Sequence, residues 1–169
     1  MIVAGLDLSL TATGIVVLDE GGKILLEDTI KVKASIKGMK RLHQIKKVLA
    51  TYPFIYPGLG LVVIEGYAYH GMSKATYQIG ELGGVIRLML WENKIPYIEV
   101  APQALKKFVT GKGNTKKDMM PKAVLIKWGF DAPDSHCADA FALARWGLEF
   151  GDMPPILTAK KRKRKEDKP

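Results

Sequence analysis

A single cysteine, Cys137, stands among the 169 residues, so no disulfide can form within the chain and a reducing compartment is expected. No apolar run approaches the ~20 residues that cross a bilayer. The opening Met1-Ile2-Val3-Ala4-Gly5 lacks the basic stretch of a secretory leader. Internal repeats are missing as well, which excludes solenoids and propellers. These absences predict a soluble, cytoplasmic chain with no membrane partner. Hydrophobic residues at 47% and charged residues at 25% are ordinary for a globular protein. One domain of this length can bury roughly 70% of its unfolded surface.

What the chain has in excess is positive charge, +9 in total. From Lys160 to Lys168 there are seven Lys/Arg and two Asp/Glu, giving +5; the remaining 19 basic and 15 acidic residues give +4. Both parts therefore fit a polyanionic partner. A basic tail also serves solubility alone. Residues 1–153 read as the folded domain, and residues 154–169, from Pro154-Pro155 onward, as a basic disordered tail.

Ile2 to Leu8 and Gly14 to Leu18 are short apolar runs, and Asp19-Glu20-Gly21-Gly22 supplies turn chemistry. Lys23 to Lys33 then alternates, with Ile24, Leu26, Thr29 and Val32 among charged residues. A three-stranded antiparallel meander is predicted. Met39, Leu42, Ile45 and Leu49 follow at helical spacing, before Pro53 and Pro57 break the chain. Leu61 to Ile64 is continuously apolar, as a strand buried on both faces requires. A helix is expected from Ser73 to Asn93, then a short strand from Tyr97 to Val100. Pro102 suits the first turn of a helix and Gly111 the residue past its end. Thr115 and Asp118 have capping-box spacing for a helix whose first turn Pro121 disturbs. Asp134 or Ser135 caps a last helix reaching about Gly147. The sum is an α/β fold, a mixed sheet of antiparallel meander plus parallel strands, flanked by helices.

Two acidic residues sit where a sheet should have none. Asp7 interrupts the first buried strand, and Glu65 ends the run Leu61 to Ile64. Charge there is costly unless it is paired or binds a metal. His136 and Asp139 lie three apart and project from one face near the start of the last helix, whose dipole favours a carboxylate. Three carboxylates and a histidine meeting above one sheet would hold two divalent cations for in-line attack of water on a phosphodiester. Each residue also has a plainer reading. Asp7 could form a turn with Ser9 and Thr11, Glu65 could pair with a surface lysine, Asp139 could be helix-start chemistry, and His136 could be structural. Their joint placement favours the metal site.

The segment Asp7-Leu8-Ser9-Leu10-Thr11-Ala12-Thr13-Gly14 resembles the first strand and turn of the RuvC Holliday-junction resolvases. So does Val63-Ile64-Glu65, followed fifteen residues after Glu65 by Gly80. Leu105-Lys106 with Gly111-Lys112-Gly113-Asn114-Thr115-Lys116-Lys117 is a third match, and His136-Cys137-Ala138-Asp139-Ala140-Phe141-Ala142-Leu143-Ala144 a fourth. Actin-like ATPases and sugar kinases begin in a similar way, but they need two such domains and this chain has room for one. The four motifs occur in order.

The resemblance implies an RNase H-like fold and a metal-dependent endonuclease that cuts Holliday junctions and other branched DNA by paired, symmetric hydrolysis. It implies Asp7, Glu65, His136 and Asp139 as the catalytic and metal-binding set, with Mg²⁺ as the cofactor, two ions per site, and Mn²⁺ able to substitute. It also implies Lys106 and Lys117 as contacts to the DNA backbone near the scissile phosphate. Lys117 follows a glycine-bracketed turn at a helix start, where backbone N–H groups also receive phosphate. Two symmetric nicks call for a two-fold homodimer, with the Ser73 to Asn93 helix, through Gly80 and Gly84, as the expected interface.

Two features depart from the family. Its aromatic residue three places after the catalytic Glu is replaced by Ala68, flanked by Tyr67 and Tyr69. Either tyrosine would serve as a stacking platform for an exposed base, Tyr69 being preferred, and either could instead be a packing residue. Lys160, Lys161, Arg162, Lys163, Arg164 and Lys165 look like an added electrostatic arm that raises affinity for any DNA. Phage-type relatives that also cut forks fit this pattern. The alternatives are an RNA-processing nuclease of the same fold and a non-catalytic nucleic-acid-binding protein.

Overall fold

The first apolar run becomes β1 (Ile2–Asp7), the central strand of a five-stranded sheet. The computed structural model describes residues 1–52, 56–67 and 74–151. β2 (Ala12–Leu18) pairs antiparallel with β1, and β3 (Ile24–Lys31) antiparallel with β2. On the other side of β1, β4 (Leu59–Glu65) and then β5 (Tyr97–Val100) add in parallel, giving the order β3-β2-β1-β4-β5. The expected meander and mixed sheet are both present. β1, β3, β4 and β5 run in one direction, so Asp7, Lys31, Glu65 and Val100 end along a common edge.

The continuous apolar character of β1 and β4 follows from burial on both faces. Ala4, Leu6, Val62 and Ile64 face a core built with α1 (Gly38–Leu49) and α2 (Lys74–Glu92). Val3, Leu61 and Val63 face the opposite core, under α3 (Pro102–Thr110), α4 (Met120–Trp128) and α5 (Ser135–Phe150). Among the described residues, no helix is long and apolar enough to cross a membrane.

α5 lies unusually close to the sheet, and two glycines make that approach feasible. A Cβ on Gly5 would land on the backbone of Ala140 and Ala144, and one on Gly14 would land on the carbonyl of His136. Asp7 pairs with Gly14, and Gly14 with Thr29. The start of α5 is thereby seated over the C-terminal end of β1.

Three local expectations are refined. Asp134, not Ser135, caps α5, its carboxylate accepting from the Cys137 N–H at 2.9 Å. α5 continues past Gly147 to Phe150, where Trp146 and Phe150 pack edge-on against Phe108 at 5.1 and 5.7 Å. The Thr115–Asp118 capping box does not form. The Thr115 hydroxyl instead bonds the Thr110 hydroxyl at 2.7 Å and the Lys112 carbonyl at 2.8 Å, tying the loop back to the end of α3. A 3₁₀ turn over Lys117–Met119 leads into α4, which places Pro121 in its first turn. A proline is tolerated there because that N–H would have no helical partner.

Candidate active site

At the common edge the sheet presents its two acidic strand ends side by side. Asp7 closes β1 and is 3% exposed; Glu65 closes the neighbouring β4. The first turns of α5 add His136 and Asp139, the latter 4% exposed. All four line one cleft, together with Lys106 from α3 and Lys117 from the 3₁₀ turn.

The contacts within the cleft are specific. His136 Nδ1 lies 2.7 Å from Asp7 Oδ2. Lys117 Nζ lies 3.5 Å from Asp139 Oδ2 and 3.9 Å from Asp7 Oδ2. The β1–β2 turn closes without Asp7: the Thr13 hydroxyl donates to the Ser9 carbonyl at 2.7 Å, and the Ser9 N–H to Thr13 Oγ1 at 3.2 Å. Asp7 is thus left to the cleft.

Crowding of negative charge away from water governs the protonation of these groups. Burial, then the charges of Asp7 and Asp139, push Glu65 up to about 8. Burial, then Asp7, push Asp139 up to about 6, against the pull of Lys117. The hydrogen bond to Asp7 raises His136 and outweighs its burial. Burial would lower Lys117, but the charges of Asp7, Asp139 and Glu65 raise it.

As they stand, no three His, Cys, Asp or Glu groups among the described residues are gathered at metal-ligand spacing; the Lys117 ammonium reaches two of the carboxylates instead. The cluster nonetheless fits a divalent cation. Its carboxylate oxygens are donors for a hard divalent cation, and the imidazole adds one softer donor. Asp139 Oδ1 is buried with no hydrogen-bond partner among the described residues. Added positive charge would relieve the repulsion that elevates Glu65.

The helix that carries His136 and Asp139 is anchored from below. Thr29 on β3 donates its hydroxyl to Asp134 Oδ2 at 2.8 Å, and Thr29 Oγ1 sits 3.2 Å from Cys137 Sγ. Burial opposes ionisation of Asp134, but hydrogen bonds from the Cys137 N–H and Thr29 lower its pKa overall. Sequence reasoning missed this Thr29–Asp134 link and the close approach at Gly5 and Gly14. Glycine inside a strand was the available signal, since it marks places where another backbone comes near.

The remaining sequence-based candidates fall in different places. Tyr67 lines the cleft and is half-buried. Its hydroxyl is 3.5 Å from the Gly80 carbonyl, and the Arg87 guanidinium sits 5.2 Å from its ring centre. The ring is therefore braced against α2. Tyr69 and the run Lys160, Lys161, Arg162, Lys163, Arg164 and Lys165 lie outside the described residues.

Comparison with known proteins adds a second line of observation. The family model "Crossover junction endodeoxyribonuclease RuvC" matches residues 3–145. A crossover junction endodeoxyribonuclease RuvC from Caldicellulosiruptor saccharolyticus is 30% identical over 152 residues, covering 85% of this chain and 90% of its own length. One from Prochlorococcus marinus is 28% identical over 153 residues, covering 88% and 98%. In fold, the chain is similar to Thermus thermophilus RuvC in complex with Holliday junction substrate, with a TM-score of 0.77 at 20% identity, over 90% of this chain and 96% of that one. The match runs through all four motifs and across both layers of helices, and on it the chain belongs to the RuvC family of crossover junction endodeoxyribonucleases.

Proposed function

We propose that the chain resolves Holliday junctions by hydrolysing one phosphodiester in each of two opposed strands, with Asp7, Glu65, Asp139 and His136 as the reacting set. The observation that carries this reading is the convergence of three carboxylates and an imidazole at one sheet edge, beside two lysines. Asp7, Glu65, Asp139 and His136 would hold divalent cations, two Mg²⁺ by preference with Mn²⁺ able to replace them, which would supply positive charge beside the attacked phosphate and lower the pKa of a bound water.

The chain's own groups divide the remaining work. Asp7 accepts a hydrogen bond from His136 Nδ1, which fixes the neutral tautomer with its lone pair on Nε2. That nitrogen orients the attacking water or completes a ligand set. Lys117, held by Asp7 and Asp139, turns to the phosphate when DNA enters, and Lys106 contacts the backbone beside it. Tyr67 or Tyr69 stacks on a base exposed at the branch point.

Two symmetric nicks require two such sites, hence a two-fold dimer. The outer side of α2 suits the interface: Tyr77, Leu88 and Trp91 are 59%, 53% and 73% exposed, and the space above Gly80 and Gly84 is open. Residues 1–153 form the nuclease domain, and the basic stretch of residues 154–169 adds sequence-independent affinity. The test is cleavage of a four-way junction with an immobile centre, a fork and a linear duplex, each with Mg²⁺ or Mn²⁺. Paired symmetric nicks in the four-way junction support the reading; equal cutting of linear duplex, or of RNA, contradicts it.

A further inference from the structure

Between Asp28 and Glu65 the chain contains no Asp or Glu, against seven Lys/Arg. The first four of these, Lys31, Lys33, Lys37 and Lys40, are exposed, and none has an ion pair among the described residues. They span the end of β3, the following loop and the start of α1. Lys46, near the other end of α1, is by contrast engaged with Glu92 at 3.9 Å.

The loop that carries them is fixed. Val32 donates its N–H to the Thr11 carbonyl at 3.0 Å, joining the loop to the β1–β2 turn that leaves Asp7. Arg41 is spent on the same loop, with Nε 2.6 Å from the Ile36 carbonyl and its guanidinium 3.0 Å from that of Ala34. Four lysines with no ion pair among the described residues are thus carried by a tied-down segment that leaves the active-site edge with β3, and their like charges repel.

Their distance from the reacting groups follows from the sheet register. Asp7, Gly14 and Thr29 lie in line across β1, β2 and β3. Two strand spacings across and two residues along put the Lys31 backbone about 12 Å from Asp7. That is the scale of the grooves of duplex DNA, ~6 Å for the minor and ~12 Å for the major. Thr29, two residues before Lys31 and on the same side of β3, bonds Asp134 beside His136. Lys31 therefore flanks the same side of the cleft from which α5 delivers its ligands, and Lys33 follows it in the loop.

We propose that Lys31, Lys33, Lys37 and Lys40 form a second backbone-binding surface, which holds the phosphates of the uncut strand of a duplex arm whose cut strand lies at Asp7. This rests on the junction-cleaving reading above. The surface recognises arm geometry and charge, with no base contacts, and so fixes the approach of an arm to the cleft.

The test is junction binding by the full chain, without divalent metal, across ~50–200 mM salt, in K31Q/K33Q/K37Q/K40Q and in K47Q/K94Q. The latter pair are exposed lysines at the opposite edge of the sheet. Each lost phosphate contact flattens the dependence of log K on log salt by roughly 0.9. The quadruple variant should lose about 3 to 4 of slope and bind at least tenfold more weakly at mid-range salt, on the same scale. K47Q/K94Q should change neither the slope nor the affinity. A slope change below about 2, or no greater than that of K47Q/K94Q, overturns the proposal, as does a lower cleavage rate at saturation with unchanged binding. If wild type does not cut junctions, the functional reading falls and takes this inference with it. An unchanged slope in a chain that does cut overturns this inference alone.

Discussion

His136 Nδ1 and Asp7 Oδ2 stand 2.7 Å apart, joining the first strand of the sheet to the last helix across 129 residues of sequence. The bond decides which face of the imidazole is free, and it raises the His136 pKa above its usual value. A protonated ring has no lone pair for water or metal. Cleavage at saturating metal should therefore rise with pH through a transition near or above ~6.5. In His136→Asp that limb should move down into the carboxylate range, and in His136→Ala most activity should be lost with either Mg²⁺ or Mn²⁺. A pH–rate profile of the three proteins checks this; an unchanged profile in His136→Ala would reduce the ring to packing.

Glu65 connects protonation to stability. Its pKa stands at about 8 in the folded chain against 4.5 for an ordinary glutamate, with burial the main cause. The folded state thus binds a proton that the unfolded state releases, so this group's contribution is full below about pH 4.5 and is lost as pH rises towards 8. Asp139, raised to about 6 from 3.8, acts in the same direction over a lower range. Without divalent metal, the melting temperature should fall between pH 5 and pH 8. Glu65→Gln should then raise it at pH 8 by at least about 3 °C, since one pKa unit is about 1.4 kcal/mol and a domain this size gains ~2–4 °C per kcal/mol. At pH 5 the variant should differ little. Calorimetry at both values decides, and equal shifts at both would remove the electrostatic explanation.

Gly14 is a tight structural dependence of the site. Any side chain there meets the His136 carbonyl, so Gly14→Ala must lift the start of α5 and carry His136 and Asp139 with it. Overpacking of this kind costs about 1–3 kcal/mol. The loss of cleavage should exceed what the drop in melting temperature explains, when assayed well below that temperature. Full activity in Gly14→Ala would show that the helix start tolerates displacement.

Much of this was legible in the sequence, and the parts that were not share a cause. Asp7 and Glu65 could be read because a charge inside an apolar run stands out locally. His136 and Asp139 could be read because three residues define a helical face. The meander followed from Asp19-Glu20-Gly21-Gly22 between alternating segments. Thr115 misled because its spacing to Asp118 matches a cap, while its hydroxyl finds nearer partners in Thr110 and Lys112. The Thr29–Asp134 bond, 105 residues apart, and the Gly14–His136 approach arise only when strand and helix are brought together. The reach of Lys117 to both Asp7 and Asp139 is of the same kind.

The outer face of α2 supplies the oligomer prediction. Leu88→Asp and Trp91→Asp replace exposed apolar side chains, so the fold should survive while a self-complementary contact would not. The double variant should be monomeric at micromolar concentration and should nick junctions on one strand at a time. Light scattering of wild type, with and without junction DNA, must first give a dimer; a monomer in both conditions excludes this interface.

The central claim, that Asp7 belongs to the reacting set and not to the scaffold, is tested most directly by single-turnover cleavage of a four-way junction with Mg²⁺ in Asp7→Asn, alongside junction binding by the same protein. The account predicts cleavage reduced more than a hundredfold, on the order of 3 kcal/mol of barrier or more. Binding should stay equal or become tighter, because repulsion of the phosphate falls. Retention of more than about a tenth of the wild-type rate leaves less than ~1.4 kcal/mol at stake and would contradict it.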